Sequence, residues 1–217
     1  MQKIVTINRV SISTALFIIS LIIIQLLEPS MLISAESEPE TVLKNGVNQI
    51  IQVLNDPSFA DESKKNERIE RLFNKAEVIF DFNEFARGAL GQNWGRFSKS
   101  QQSTFADHFS HLIANTYIAK IDDENFKDLK ITYLKTELID ETKSGIQRAE
   151  ISTEVFHNKI ITPVHYRMMK KKGQLWKIYD VKIEGVSLVG NYREQYRTRF
   201  NDSPDKIIQE IKDKIAQ

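Results

Sequence analysis

The chain of 217 residues contains no cysteine, so no disulfide staples its core. It also lacks an excess of either charge, with 30 Lys and Arg against 29 Asp and Glu. Setting aside Lys3, Arg9 and Glu28 of the N-terminal segment leaves the remainder neutral. That balance excludes a phosphate backbone as the main ligand, and with it a polybasic attachment to membranes. No internal repeat, low-complexity tract, domain linker or phosphate-binding loop is present. Ser187, within Gly185-Val186-Ser187-Leu188-Val189, lacks the second glycine of a nucleophile elbow and reads instead as a helix cap. Among His108, His111, His157 and His165 no pair stands at i, i+4. His108 and His111 share a helix face without a third ligand nearby, so they read as solvated surface.

Long apolar runs are missing too, except at the start. Lys3 and Arg9 precede Ala15–Ile24, ALFIISLIII, which is about half of the ~20 residues a membrane span needs. Extending the run from Val10 to Leu27 takes in Ser11, Ser13, Thr14, Ser20 and Gln25. Pro29 and the small residues Ser34-Ala35 follow, so residues 1–35 read as an export segment cleaved near Ala35, with an uncleaved anchor as the alternative. The remaining residues 36–217, about 180, are enough for a single domain with one core.

Within that domain two periodicities follow one another. Apolar residues recur at helical spacing in Thr41–Leu54, after Asp61 (Ile69, Leu72, Phe73, Ala76), and in Phe82–Leu90. The last of these is capped by Asp81 with Glu84 three residues on, and closed by Gly91. Trp94 falls in a connector, and a helix capped by Ser98 or Ser100 runs to about Ile121. Beyond Asp122-Asp123 the period becomes two, predicting strands over Lys127–Leu138, Gln147–His157, Lys159–Lys171 and Gln174–Glu184. Short turns between them imply an antiparallel meander, and Pro163 suggests an edge or a bulge in the third strand. Helices over Val186–Phe200 and from about Pro204 complete an α+β order.

The expected architecture is thus a curved four-stranded antiparallel sheet with N- and C-terminal helices over one face. Such a cone is either filled or hollow, and an apolar stripe fits both. The candidate lining from the helices is Phe80, Phe82, Phe85, Trp94, Phe105, Phe109 and Tyr117. From the sheet it is Ile131, Tyr133, Ile151, Val155, Val164, Tyr166, Trp176 and Ile178, and the segment after Gly185 adds Val186, Leu188 and Val189.

Three blocks carry a resemblance to a known family: Phe80–Trp94, FDFNEFARGALGQNW; the helix with Phe105, Phe109, Leu112, Ile113 and Tyr117; and Trp176–Val189 with Asn191-Tyr192-Arg193. The chain resembles the MlaC family, periplasmic phospholipid-binding proteins also described as toluene-tolerance or auxiliary components of a lipid ABC transport system. The resemblance implies a fold akin to nuclear transport factor 2 with a deep apolar pocket for phospholipid tails. It implies shuttling between an inner-membrane lipid ABC transporter complex, with its membrane-anchored substrate-binding subunit, and an outer-membrane lipoprotein–porin complex. Outer-membrane lipid asymmetry would be the outcome, served by a periplasmic monomer without cofactor or catalysis.

Two rivals stand beside it. An enzyme on the same cone would use Asp180 and Tyr179 as an acid–base pair on a hydrophobic small molecule. An adaptor would have a solid interior and act through its surface. Arg193 and Arg87 suit either a lipid phosphate or the carboxylates of Asp81 and Asp180.

Overall fold

Helix α1, Pro39–Leu54, starts on a proline at its first turn, where no amide donor is needed, and stops at Asn55 before Pro57. The computed structural model describes residues 38–121 and 126–216; the export segment expected over residues 1–35 lies outside them. Two short 3₁₀ turns lead into α2, Lys65–Ile79, which is wet on its Lys and Glu face and buries Leu72, Ala76 and Ile79. Gly46 lets α1 approach α2 closely, since a Cβ there would stand 2.1 Å from the Ile79 side chain.

Helix α3, Phe82–Leu90, begins at Asp81, whose carboxylate accepts from the Glu84 amide at 3.0 Å. A 3₁₀ turn, Gly91–Arg96, holds Trp94 and leads to the long α4, Lys99–Ile121. The sheet then runs β1 (Lys130–Glu141), β2 (Gln147–His157), β3 (Ile160–Lys170), β4 (Lys177–Ile183) and β5 (Val186–Ser187). Each strand pairs antiparallel with the next, in the order β1-β2-β3-β4-β5. Helices α5, Leu188–Arg197, and α6, Pro204–Ile215, close the chain.

The sheet has five strands rather than the expected four. Glu184 and Gly185 both take positive φ, 51° and 82°, which makes a two-residue reversal matched to strand twist. The chain therefore pairs Val186 with Ile183 before helix α5 starts at Leu188, where sequence periodicity alone predicts helix from Val186. Asn158 and Lys159, at φ 49° and 65°, build the β2–β3 hairpin the same way.

Strand β3 is interior, but Pro163 pairs only with Glu154 of β2 and lies just past the last β3–β4 pair, Val164–Ile183, so it stands at a local open edge rather than at a bulge. Its carbonyl accepts from Glu184 at the end of the β4 ladder, so its missing donor points to where β4 has turned away. The β3–β4 irregularity falls instead between Arg167 and Met168, with Tyr179 as the extra residue between Asp180 and Ile178.

Two large apolar clusters and a small third one of Val53, Phe59 and Leu72 organise the described residues. In one, Leu43, Val47 and Ile79 pack on Ala149, Ile151, Val164, Met168, Trp176, Ile178 and Val181 of the sheet side. In the other, α3, α4, α5 and α6 meet through Phe85, Phe105, Phe109, Tyr192, Tyr196, Ile207 and Ile211. The C-terminal segment, in which no motif is legible, thus contributes two of its isoleucines to the helical core.

Candidate functional site

Between these clusters lies an apolar pocket of about 290 Å³. Helix α1 supplies Ile50 and Leu54; α2 supplies Leu72, Phe73 and Ala76; Phe80, Phe82 and Phe85 come from the start of α3; and Ile113, Ala114 and Tyr117 come from α4. The sheet side gives Val164, Tyr166, Val181 and Ile183, and Leu188 completes the wall. No charged residue is among them. The volume sits at the lower end of the roughly 300–1,000 Å³ usual for small-ligand sites.

Local structure explains why these side chains converge. Phe80 is drawn out of α2 into a bridge with Ile178, and the Asp81 amide donates to the Ile178 carbonyl at 2.8 Å. That bridge fixes Phe80 against β4 just before Asp81 caps α3. The ring of Phe82 then stacks on Phe80 at 5.4 Å and on Phe73 at 6.0 Å, and Phe73 in turn stacks on His111 at 4.7 Å. On the opposite side Asp180, 2% exposed, accepts from the Ser187 hydroxyl at 2.7 Å and the Val189 amide at 3.1 Å. Ser187 caps α5 by accepting from Gly190 at 2.8 Å. This double anchor sets Leu188 into the pocket and Val189 into the helical core.

Burial pushes the phenol of Tyr166 well above its ordinary value, and that of Tyr117 upward as well.

Of the residues anticipated as lining, Phe80, Phe82, Phe85, Tyr117, Val164, Tyr166 and Leu188 meet at this pocket. The others lie elsewhere. Phe105, Phe109 and Val189 are buried in the helical cluster, with Trp94 packed against it, because α4 turns that face to α5 and α6. Ile151, Trp176 and Ile178 form solid packing under α1, flanked by Ile131, Tyr133 and Val155. Val186 is 59% exposed on β5. Lining residues not anticipated include Ile50, Leu54, Leu72, Phe73 and Ala76; their helical apolar spacing signals burial, and only the fold shows which cavity it faces.

The acid–base candidates fall outside the apolar pocket. Asp180 is committed to the Ser187 and Val189 donors, and the β-bulge turns Tyr179 with it to a separate polar pocket. His108 and His111 do not join a metal site; no group of three or more potential ligands exists among the described residues.

The fold and this site define an α+β protein with an uncharged pocket between helices and an antiparallel sheet. The chain belongs to the MlaC family: the family model described as MlaC protein matches residues 44–213. A similar solved structure is that of the phospholipid-binding protein from Ralstonia solanacearum in complex with a phospholipid. It superposes with a TM-score of 0.67 over 83% of this chain and 98% of that one, at 20% sequence identity. Among curated proteins nothing matches the chain.

Proposed function

We propose that the protein is a phospholipid carrier of the periplasm that holds acyl chains in the apolar pocket, with the head group at its mouth in water. The observation that carries this reading is the pocket itself, walled by Phe73, Phe80, Phe82, Phe85, Tyr117, Leu188 and aliphatic side chains without a charge. Membership of the MlaC family and the phospholipid bound by the Ralstonia protein of similar fold support it. In this reading the sheet and its helices form a cone of the nuclear transport factor 2 type. Residues 36–217 are the working domain, and the segment before them directs export.

Energetics shape the mechanism. Burying acyl chain stabilises by about 0.8 kcal/mol per CH₂ relative to water, so two full tails would yield roughly 25 kcal/mol, above the practical affinity ceiling of about 20 kcal/mol. The relevant exchange is with a bilayer, where the tails are already dry. A pocket as apolar as a membrane interior then allows transfer near equilibrium, and direction comes from the partners. Those partners are an inner-membrane lipid ABC transporter complex with its membrane-anchored substrate-binding subunit and an outer-membrane lipoprotein–porin complex, between which the carrier serves outer-membrane lipid asymmetry. The carrier itself acts without catalysis, and Asp180 anchors α5.

Native mass spectrometry of the protein purified from the periplasm without detergent tests this. Stoichiometric phospholipid supports the carrier. A chain that is free of lipid, and remains so after incubation with liposomes, refutes it.

A further inference from the structure

On the other side of β4 from the apolar pocket is a second, polar hollow of about 320 Å³. Arg87, Arg148, Arg167 and Arg193 all line it. Each guanidinium is fixed through part of its donor set. Arg87 is held by Glu84, and the Arg148 Nη1 by Asp140 at 2.8 Å. The Arg167 Nε donates to Glu150 at 2.9 Å, and the Arg193 Nε to the Gly88 carbonyl at 2.7 Å. A guanidinium presents five N–H donors in a planar fork, so each keeps donors to spare. Among the described residues Arg193 pairs with no carboxylate, although its sequence context made Asp81 and Asp180 candidates.

The carboxylates that share this hollow are already engaged. Glu84 holds Arg87 and Lys171, and Asp180 accepts from Ser187 and Val189, with the Arg167 Nη1 at 3.6 Å. Glu150 is likewise shared between Arg167 and Lys182. Gly91 leaves space for the Arg193 side chain, from which a Cβ would stand 3.2 Å, while Gly88 leaves space for Val189, at 2.7 Å. The bulge in β4 adds Tyr179, whose hydroxyl makes no hydrogen bond within the described residues. Pre-anchored guanidinium forks around a concave site match the tetrahedral oxygens of phosphate better than any uncharged ligand.

We infer that this arginine-lined hollow binds a phosphate oxyanion, either the phosphodiester of a lipid head group or free inorganic phosphate. The two pockets share no lining residue, so this site is distinct from the acyl-chain pocket and does not depend on it.

Isothermal titration calorimetry at low ionic strength, with two soluble probes that carry no tails, tests the inference. The probes are inorganic phosphate and glycerophosphoglycerol, the deacylated head group of phosphatidylglycerol. Saturable binding of either supports the site. Binding of the diester alone assigns it to lipid head groups, and binding of inorganic phosphate alone assigns it to the free ion. Arg193→Gln and, separately, Arg148→Gln should weaken that binding at least ~10-fold, the scale of a lost charge-assisted hydrogen bond. Arg148 pairs with Asp140 on an exposed strand end, so its variant keeps the fold, as an unchanged melting temperature would verify. No saturable heat with either probe, or binding equally tight in both folded variants, overturns the inference. Because neither probe has an acyl chain, failure here leaves the carrier reading untouched.

Discussion

Replacing Ala76 by Phe separates a hollow from a solid core. Ala76 lies on the inner face of α2 and borders the apolar pocket of about 290 Å³. A phenyl ring there would occupy space otherwise open to cargo, displacing about four methylenes of acyl chain. At about 0.8 kcal/mol each, that is about 3 kcal/mol of lost tail burial, or roughly 100-fold in lipid retention. Stability responds in the opposite sense. Inserting a ring into close-packed core costs about 1–3 kcal/mol, and each kcal/mol lowers Tm by about 2–4 °C in a domain of this size. In a hollow the ring finds room and gains contacts, offset only by the small helix-propensity difference between Ala and Phe, about 0.5 kcal/mol. The assay is paired: phospholipid extracted per mole of protein, and Tm of the lipid-free protein. The account expects lipid to fall steeply with Tm unchanged or raised. Full lipid loading with Tm several degrees lower would refute the reasoning, because Ala76 would then face packed core.

Three further perturbations follow from the same geometry. Asp180→Asn weakens the anchor on Ser187 and Val189 and should cost about 1–3 kcal/mol in chemical denaturation while lipid content stays the same; loss of a turnover without loss of stability would favour the enzyme instead. Burial pushes the Glu150 carboxyl up, but Lys182 and Arg167 outweigh it and hold the group below its ordinary 4.5. Its stabilising contribution is therefore complete above about pH 4.5 and fades as pH falls through the lower folded value, so thermal scans should show wild type losing stability on acidification more steeply than Glu150→Gln. Gly46→Ala places a Cβ 2.1 Å from Ile79 and forces α1 away from α2, with an expected loss of about 1–3 kcal/mol by urea unfolding.

Periodicity made the elements legible: the switch from 3.6 to 2 beyond Asp122-Asp123, the cap at Asp81 and the helix start at Pro204 stand in the sequence as they do in the fold. Two-residue β5 did not, because a pair of positive φ angles at Glu184-Gly185 decides it and Val186 reads equally as helix. The site was partly legible. Phe80, Phe82 and Phe85 stand out as a dense aromatic cluster beside a cap, and they do line the pocket. Phe105 and Phe109 look the same in sequence yet serve the helical core, since their destination depends on how α6 covers α4. Ile50, Phe73 and Ala76 were visible as apolar helix faces, but the sheet's shape decides which apolar faces meet and which leave a gap. The arginine hollow was less legible still: Arg148 and Arg167 come from neighbouring strands, Arg87 and Arg193 from two helices.

The central claim, that acyl chains occupy the pocket between α1, α2, α4 and β3–β4, is tested most directly by photocrosslinking. A phospholipid with a diazirine near the end of one tail would be loaded, irradiated, and its adducts mapped by peptide mass spectrometry. The account predicts adducts within Leu72–Phe85 and at Ile113–Tyr117, Tyr166 or Leu188. Adducts confined to the outer strand β1 or to the arginine hollow, with those pocket peptides unlabelled, would contradict it.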